Sequence, residues 1–334
     1  MKSITIFFWL VSVVIFSTHA AQGDISVTQK RAVVEGVADL MERRYVYLSQ
    51  GSEVANVLRR QLLEGKFQSI TSKQALAEHM STFLMEQTKD GHLFLEYKPN
   101  ALREERSRDV ASEKSDYIES EMEKYYGAHI NHGFNGIQRL NNNIGYIDLT
   151  VFAPPNMAED LAHAAMTLCA QFDALIFDLR NNGGGMGELG HIMMGYLFDE
   201  TSLPLSNIYH RPSDTLTTHK TPNKLPKRRF GGKKPLYILT SKRTFSAAEA
   251  FAYDLQALKR ATIVGEVTGG GAHPFEYHEV DHEFFLSLAE ARSINPITKS
   301  NWQGVGVQPD VLVKNDRALS EAIDLANARL SQLN

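Results

Sequence analysis

The residue best placed for chemistry is a serine where a strand pattern gives way to a helix pattern. The segment "RTFSAAEAFAYDLQAL", residues 243–258, follows the apolar run "PLYILTS" and opens a helix at Ser246. The free N–H groups and the positive dipole end of a helix N-terminus favour the oxyanion that serine attack creates. The same position suits an ordinary N-cap, since Glu249 three residues later completes a capping box. The pattern therefore leaves Ser246 as either a cap or a nucleophile.

A glycine run offers amides that could bind an anion. In "FDLRNNGGGMGELG", Gly183, Gly184 and Gly185 follow a predicted strand and precede a helix. Unshielded N–H groups there could form a phosphate-binding nest or an oxyanion hole, and a flexible turn is the plainer alternative. The spacing matches neither nucleotide-binding glycine motif, and the G-x-S-x-G elbow is absent around Ser246.

Nucleophilic chemistry also needs a base, and the chain has twelve histidines. His92, in "TKDGHLFLEY", begins a predicted strand and could face a cleft, although an isolated histidine is more often structural. The motif "HEVDH", residues 278–282, matches a zinc-peptidase pattern that requires a helix. Three glycines and Pro274 precede it and "FFLSL" follows, so a strand or hairpin without metal is expected.

The elements around these residues form two groups. Apolar residues recur at helical spacing from about residue 28 to 87, "HLFLEYKP" is typical of a strand, and a charged segment follows. Short β-rich runs then alternate with amphipathic helices, which predicts a layered α/β fold. The expected organisation is a helical domain over 24–98, a charged linker or helix over 99–126, and an α/β domain over 127–334.

Composition and the first residues narrow the functional classes. The chain has 334 residues, 43% of them hydrophobic, and its net charge of -4 gives no footprint for nucleic acid. Residues 1–20 combine a Lys, an apolar run and small residues, which predicts a signal peptide cleaved after Ala20 and a periplasmic or extracellular protein. If the segment is retained, it would tether the protein to a membrane. Cys169 is the single cysteine and is expected to be buried and structural.

Together these segments resemble the C-terminal processing (tail-specific) serine peptidase family, in the branch near the repeats of interphotoreceptor retinoid-binding protein. The segments that carry the resemblance occur in family order: "YVY", "DGHLFLEY", "FDLRNNGGG", "YILTSKRTFSAAEAFAYDLQAL", "ATIVGEVTGGGAH" and "NWQGVGVQPDVLV". The resemblance implies a crotonase-like α/β core on a small N-terminal helical bundle, with no PDZ domain and no cofactor or metal.

The resemblance also implies roles for individual residues. Ser246 is the nucleophile, and the Ala247 amide with one from Gly183, Gly184 or Gly185 is the oxyanion hole. No lysine follows "GE" in "VTGGGAHP", so the base shifts to His92; another residue such as His273 beside the Ser246 hydroxyl would mean that the base is a different one. In the related tricorn-like branch a serine and a glutamate assist the histidine; here Gly91 and Gln303 replace them. Gln303 is then a weakened third member, and Gln303→Glu is expected to raise hydrolysis.

Two functions follow from this set of residues. The favoured one is a secreted or periplasmic serine peptidase that cleaves peptides or unfolded protein ends through an acyl-enzyme. The alternative is a catalytically silent protein that binds a hydrophobic ligand or a peptide in the same cleft. Both predict a mature chain that is not inserted in a membrane.

Overall fold

A computed structural model describes residues 23–99, 120, 122–224 and 228–333. The predicted signal peptide and most of the predicted 99–126 segment lie outside these described residues. Within the described ranges, none of the helices combines the length and apolarity needed to cross a bilayer.

Three helices form the N-terminal part, as their apolar spacing predicts. They are α1 (Val27–Arg44), α2 (Leu48–Leu63) and α3 (Lys73–Thr88). Ser26 and Ser72 cap α1 and α3 by accepting hydrogen bonds from backbone N–H groups three residues later. The apolar stripes of the helices meet in a shared core, whose fully buried members include Val33, Val37, Met41, Leu58, Leu76, Met80 and Leu84.

A small antiparallel sheet completes this core and crosses the expected boundary between the two parts. Strand β1 (Phe94–Tyr97) pairs with β10 (Phe284–Ala289), which also pairs with β9 (Phe275–Asp281). Phe284, Leu286 and Leu288 alternate along β10 and pack into the helical core. The β9–β10 hairpin therefore belongs with the N-terminal helices, although it lies within the segment 127–334.

The second part is a layered α/β core. Its sheet has the order β12-β8-β7-β4-β3-β2, parallel except for the antiparallel β2–β3 pair. The strands are β2 (Phe134–Arg139), β3 (Ile144–Leu149), β4 (Ala174–Asp178), β7 (Leu236–Thr240), β8 (Thr262–Gly265) and β12 (Val311–Leu312). A separate three-stranded sheet has β5 (Pro204–His210) between β6 (Thr215–Lys220) and β11 (Ala291–Ile294).

Helices cover both faces of the large sheet, which is why its central strands are apolar on both sides. On one face are α4 (Pro155–Cys169), α5 (Gly187–Gly195) and α6 (Ala247–Ala257); on the other is α7 (Ala318–Ser331). Cys169 is buried at the end of α4, and burial raises the pKa of its thiol to about 12. A buried thiol that stays protonated is unreactive, which agrees with the structural role expected for Cys169.

The strand order explains why distant motifs meet. Strands β4 and β7 are parallel neighbours, so their carboxyl ends lie at the same edge of the sheet. The glycine run follows β4, and Ser246 follows β7. Open parallel sheets place their sites at such carboxyl ends.

Candidate active site

Ser246 adopts an unusual backbone conformation at the start of α6. Its φ is 54° and its ψ is −118°, a region that residues with a side chain rarely occupy. Neighbouring contacts impose this conformation: Phe245 N–H donates to the Asn182 carbonyl at 3.1 Å, and Ser246 N–H donates to Glu249 Oε2 at 2.8 Å. Strain of this kind persists only where the surroundings enforce it, and it clusters at functional sites.

The glycine run lies directly against this serine. Gly184 has a φ of +115°, and a Cβ atom there would be 2.8 Å from Ser246 Cβ and 3.2 Å from the Ala247 amide nitrogen. The Gly184 N–H is engaged by Asn182 Oδ1 at 2.9 Å. Backbone at Gly183 borders open space, since a Cβ there would meet nothing within 4 Å. The structure thus brings together the predicted nucleophile and the glycine and Ala247 backbone predicted for the oxyanion hole.

Glu249 fixes the serine to a second glycine segment. Its buried carboxylate accepts the N–H groups of Ser246, Gly270 and Gly271 and the hydroxyl of Thr268. Burial raises the pKa of Glu249 to about 7, against the opposite effect of these four donors. The capping-box pattern predicts the contact between Glu249 and Ser246. Nothing in the local sequence predicts the hydrogen bonds of Glu249 with residues 268–271.

His92 enters the same site from the end of the helical part. Its ring packs on Phe245, the residue before Ser246, with centroids 4.7 Å apart, and on Phe275 at 5.3 Å. A Cβ at Gly271 would lie 2.8 Å from His92 Cε1. Among the described residues, no hydrogen bond joins His92 to the Ser246 hydroxyl. Catalytic hydrogen bonds are often long without substrate, so His92 stays the predicted base.

A buried aspartate that the sequence reasoning missed lies behind His92. Asp90 Oδ1 accepts the backbone N–H of His92 at 3.1 Å and is 3.7 Å from His92 Nδ1. Its Oδ2 pairs with His273 Nδ1 at 2.6 Å. Burial alone would raise the pKa of Asp90, but the two histidines outweigh it and hold this pKa well below its usual range. His273, the alternative base, therefore has one ring nitrogen committed to Asp90.

Gln303 makes different contacts from those expected of a third catalytic member. Its Oε1 accepts the Ala272 N–H at 2.8 Å, and its Nε2 donates to the Lys89 carbonyl at 3.0 Å. Both ends of the amide thus bind backbone rather than His92. Gly91, at the position of the family's serine, packs tightly, since a Cβ there would lie 3.0 Å from Phe245 Cζ.

The "HEVDH" motif lies in a hairpin, in line with the predicted strand or hairpin. His278 to Asp281 are the end of β9 and His282 lies in the turn that follows, so the two imidazoles are not presented on one face of a helix. His278 Nε2 instead lies 2.7 Å from the buried Glu290. In the described part of the chain, no group of three or more His, Cys, Asp or Glu side chains is arranged to hold a metal ion.

Comparison with known families agrees with this fold. The profile described as Peptidase family S41 matches residues 143–313, about half of the chain. A second profile, the N-terminal domain of Peptidase S41 in eukaryotic IRBP, matches residues 25–134. The protein has the fold of a serine peptidase with a helical N-terminal part, and the chain belongs to peptidase family S41.

Individual relatives show the same relationship. The carboxyl-terminal-processing protease of Synechocystis sp. is 31% identical over 177 residues, 53% of this chain and 39% of that protein. Carboxyl-terminal-processing peptidase 2, chloroplastic, of Arabidopsis thaliana is 30% identical over 176 residues, 50% of this chain and 31% of that protein. The chain therefore spans well under half the length of these curated relatives.

Among solved structures, a candidate peptidase from Parabacteroides merdae superposes with a TM-score of 0.63 at 20% identity. The match covers 89% of this chain and 96% of that one. The likeness therefore extends through both the helical part and the α/β core.

Proposed function

We propose that the protein is a serine peptidase that hydrolyses peptides or unfolded protein ends through an acyl-enzyme formed on Ser246. The observation that carries this proposal is the constrained backbone of Ser246 at the start of α6, packed against Gly184 and beside the Ala247 amide. An N-cap needs no positive φ, because capping residues normally adopt the extended region. The backbone strain at this position therefore favours a nucleophile.

The reaction follows from the groups around the serine. Ser246 Oγ attacks the peptide carbonyl carbon while His92 removes its proton, and the peptide C–N bond then breaks as His92 returns that proton to the leaving amine. The negative oxygen forms near Ala247 and the glycine run, where backbone N–H groups can stabilise it. Water then attacks the ester by the same proton route and frees Ser246.

A peptide substrate is proposed because the relatives named above process carboxyl termini. The exposed ring of Phe275 packs on His92, and the exposed ring of Tyr277 packs on Phe275. These rings would favour apolar side chains in the substrate. The same rings support the alternative function, the binding of a hydrophobic ligand or peptide without hydrolysis.

Export to the periplasm or the cell exterior is proposed from the residue types in the segment 1–20.

Labelling with a fluorophosphonate separates catalysis from silent binding. We expect wild-type protein to be labelled and Ser246→Ala to lose labelling completely. Ser72→Ala is the matched control, because it removes the hydroxyl that caps α3 and costs about 1 kcal/mol without touching the site. Labelling that persists in Ser246→Ala would refute the assignment, and a wild type that never reacts would favour the binding function.

Two further measurements test the remaining parts of the proposal. A chelator should leave hydrolysis unchanged, whereas activity lost to a chelator and restored by zinc would contradict the serine mechanism.

N-terminal sequencing of protein from its native source should give a sequence that begins at about Ala21. An intact Met1 on a protein in the cytoplasm would contradict export.

A further inference from the structure

We infer that Asp90, oriented by His273, is the carboxylate that positions His92 for proton transfer, the role expected of Gln303. This inference rests on the proposed serine mechanism. It assigns Asp90 and His273 as positioning residues, since neither needs to touch the substrate.

The first observation is an unsatisfied nitrogen. His92 is buried, and its Nδ1 has no hydrogen-bond partner, which is costly for a buried polar atom. The nearest carboxylate oxygen is Asp90 Oδ1 at 3.7 Å, slightly beyond hydrogen-bond length. A small rotation of the imidazole would let Nδ1–H donate to Asp90. His92 Nε2 would then carry the lone pair that must accept the proton of Ser246.

The second observation is how firmly Asp90 is held. His273 Nδ1 donates to Asp90 Oδ2 at 2.6 Å, and His273 Nε2 lies 3.4 Å from the Tyr47 hydroxyl. Tyr45 places its hydroxyl 3.5 Å from the same Oδ2. With Oδ2 engaged in this way, Oδ1 is directed at the backbone and ring of His92. The titratable groups in contact with Asp90 are thus His92, His273 and Tyr45.

The hydrogen bonds of Gln303 go to backbone groups rather than to His92. Its amide oxygen is taken by Ala272 N–H and its amide nitrogen by the Lys89 carbonyl. A neutral amide also cannot offset a positive charge. Asp90 can, because an ionised carboxylate stabilises the imidazolium that forms when His92 takes the proton. The proton moves from Ser246 to His92 and on to the leaving amine, and Asp90 stays ionised throughout.

The test compares the rate of acylation by a fluorophosphonate across pH 5 to 9. Asp90→Asn keeps the size of the side chain but loses its charge, and we expect acylation to slow by roughly 10³-fold or more. The midpoint of the pH profile should also move to lower pH, since the imidazolium loses its counter-charge. Asp254→Asn, at another buried aspartate that bonds Asn295, is the control and should retain the wild-type rate and midpoint.

A second pair of variants isolates His273. His273→Asn keeps an N–H donor near the position of Nδ1, whereas His273→Phe removes it, so acylation should be largely retained in the first and fall about tenfold or more in the second. This pair decides the matter if Asp90→Asn does not fold: equal rates and midpoints in the two variants would overturn the inference. Wild-type rates in a folded Asp90→Asn would do the same. A wild type that never reacts would instead count against the serine mechanism itself.

Discussion

At the scale of single residues, Ser246 lies at a helix start and is also held in a strained conformation. Its N–H is bound by Glu249, as a capping box predicts, yet its φ of 54° lies outside the range of ordinary caps. The sequence could indicate the helix start and, by resemblance, the nucleophile. It could not indicate the strain, because that depends on contacts from Asn182 and Gly184, which belong to another strand connection.

The buried aspartate shows a different limit of sequence reasoning. Asp90 and His273 are 183 positions apart, and no local pattern links them. The one nearby signal is that Asp90 precedes His92 by two residues, the spacing at which an aspartate side chain bonds the backbone N–H ahead of it. That signal indicates only a local turn. The contact of Asp90 with two histidines arises because the helical part packs on the β9–β10 hairpin.

Gln303→Glu should destabilise the protein rather than activate it. A glutamate would keep one oxygen on the Ala272 N–H but would direct the other at the Lys89 carbonyl oxygen, which needs a donor. We expect the free energy of unfolding to fall by about 1–3 kcal/mol, with no gain in acylation. Urea denaturation and fluorophosphonate kinetics would measure the two effects. Faster acylation by Gln303→Glu would restore Gln303 as the third member.

At the scale of secondary-structure elements, periodicity predicted most of what the structure shows. Helical spacing located α1 to α3 and the helices of the α/β core, and apolar runs located the central strands. The β9–β10 hairpin lies within the expected 127–334 segment but packs on the N-terminal helices. The alternation in "FFLSL" indicates a half-buried strand without saying which core covers it. Long-range burial, here against the N-terminal helices, decides such cases.

The connection after β4 provides a test at this scale. In Gly184→Ala, the new methyl group would meet Ser246 Cβ at 2.8 Å at a φ of +115°, so either the connection or the serine must move. We expect the unfolding free energy to drop by about 1–3 kcal/mol and acylation to slow at least tenfold.

Gly136→Ala on β2 is the matched control for this change. A Cβ at Gly136 would meet nothing within 4 Å, so its effect should stay within about 0.5 kcal/mol. If Gly184→Ala and Gly136→Ala gave the same stability and the same acylation rate, the close approach of Gly184 to Ser246 would not matter in solution.

At the scale of the whole molecule, the candidate site lies where the helical part meets the α/β core. Ser246 comes from the core, and His92 comes from the end of the helical part. Two buried carboxylates lie where the halves meet. Asp90 pairs with His273, and Glu290, between β10 and β11, binds Arg44 on α1 and lies 3.4 Å from His210 on β5. Geometry at the site therefore depends on how these halves are held together.

These buried carboxylates should give the protein its greatest stability in weakly acidic solution. Burial raises the pKa of Asp90 and Glu290, but their histidine and arginine partners outweigh it and lower both values. The stability they contribute is present above the unfolded values of about 3.9 and 4.3 and is lost as the pH falls below them. Glu249 has the opposite effect, because its pKa is raised to about 7 in the folded state. The stability that its protonation contributes, up to about 3 kcal/mol, is fully present below about pH 4.5 and is lost as the pH rises through 7.

Urea denaturation between pH 3 and 8 should therefore show a maximum in unfolding free energy at about pH 5 to 6. Asp90→Asn should flatten the decline on the acid side, because the asparagine has no proton to gain, while the exposed Asp160→Asn should leave the curve unchanged. Glu249→Gln should flatten the decline towards neutral pH for the same reason, although its amide hydrogens would oppose the N–H groups of Gly270 and Gly271 and lower stability at every pH. An acid limb that is equally steep in Asp90→Asn and wild type would show that Asp90 does not join the two halves in its ionised form.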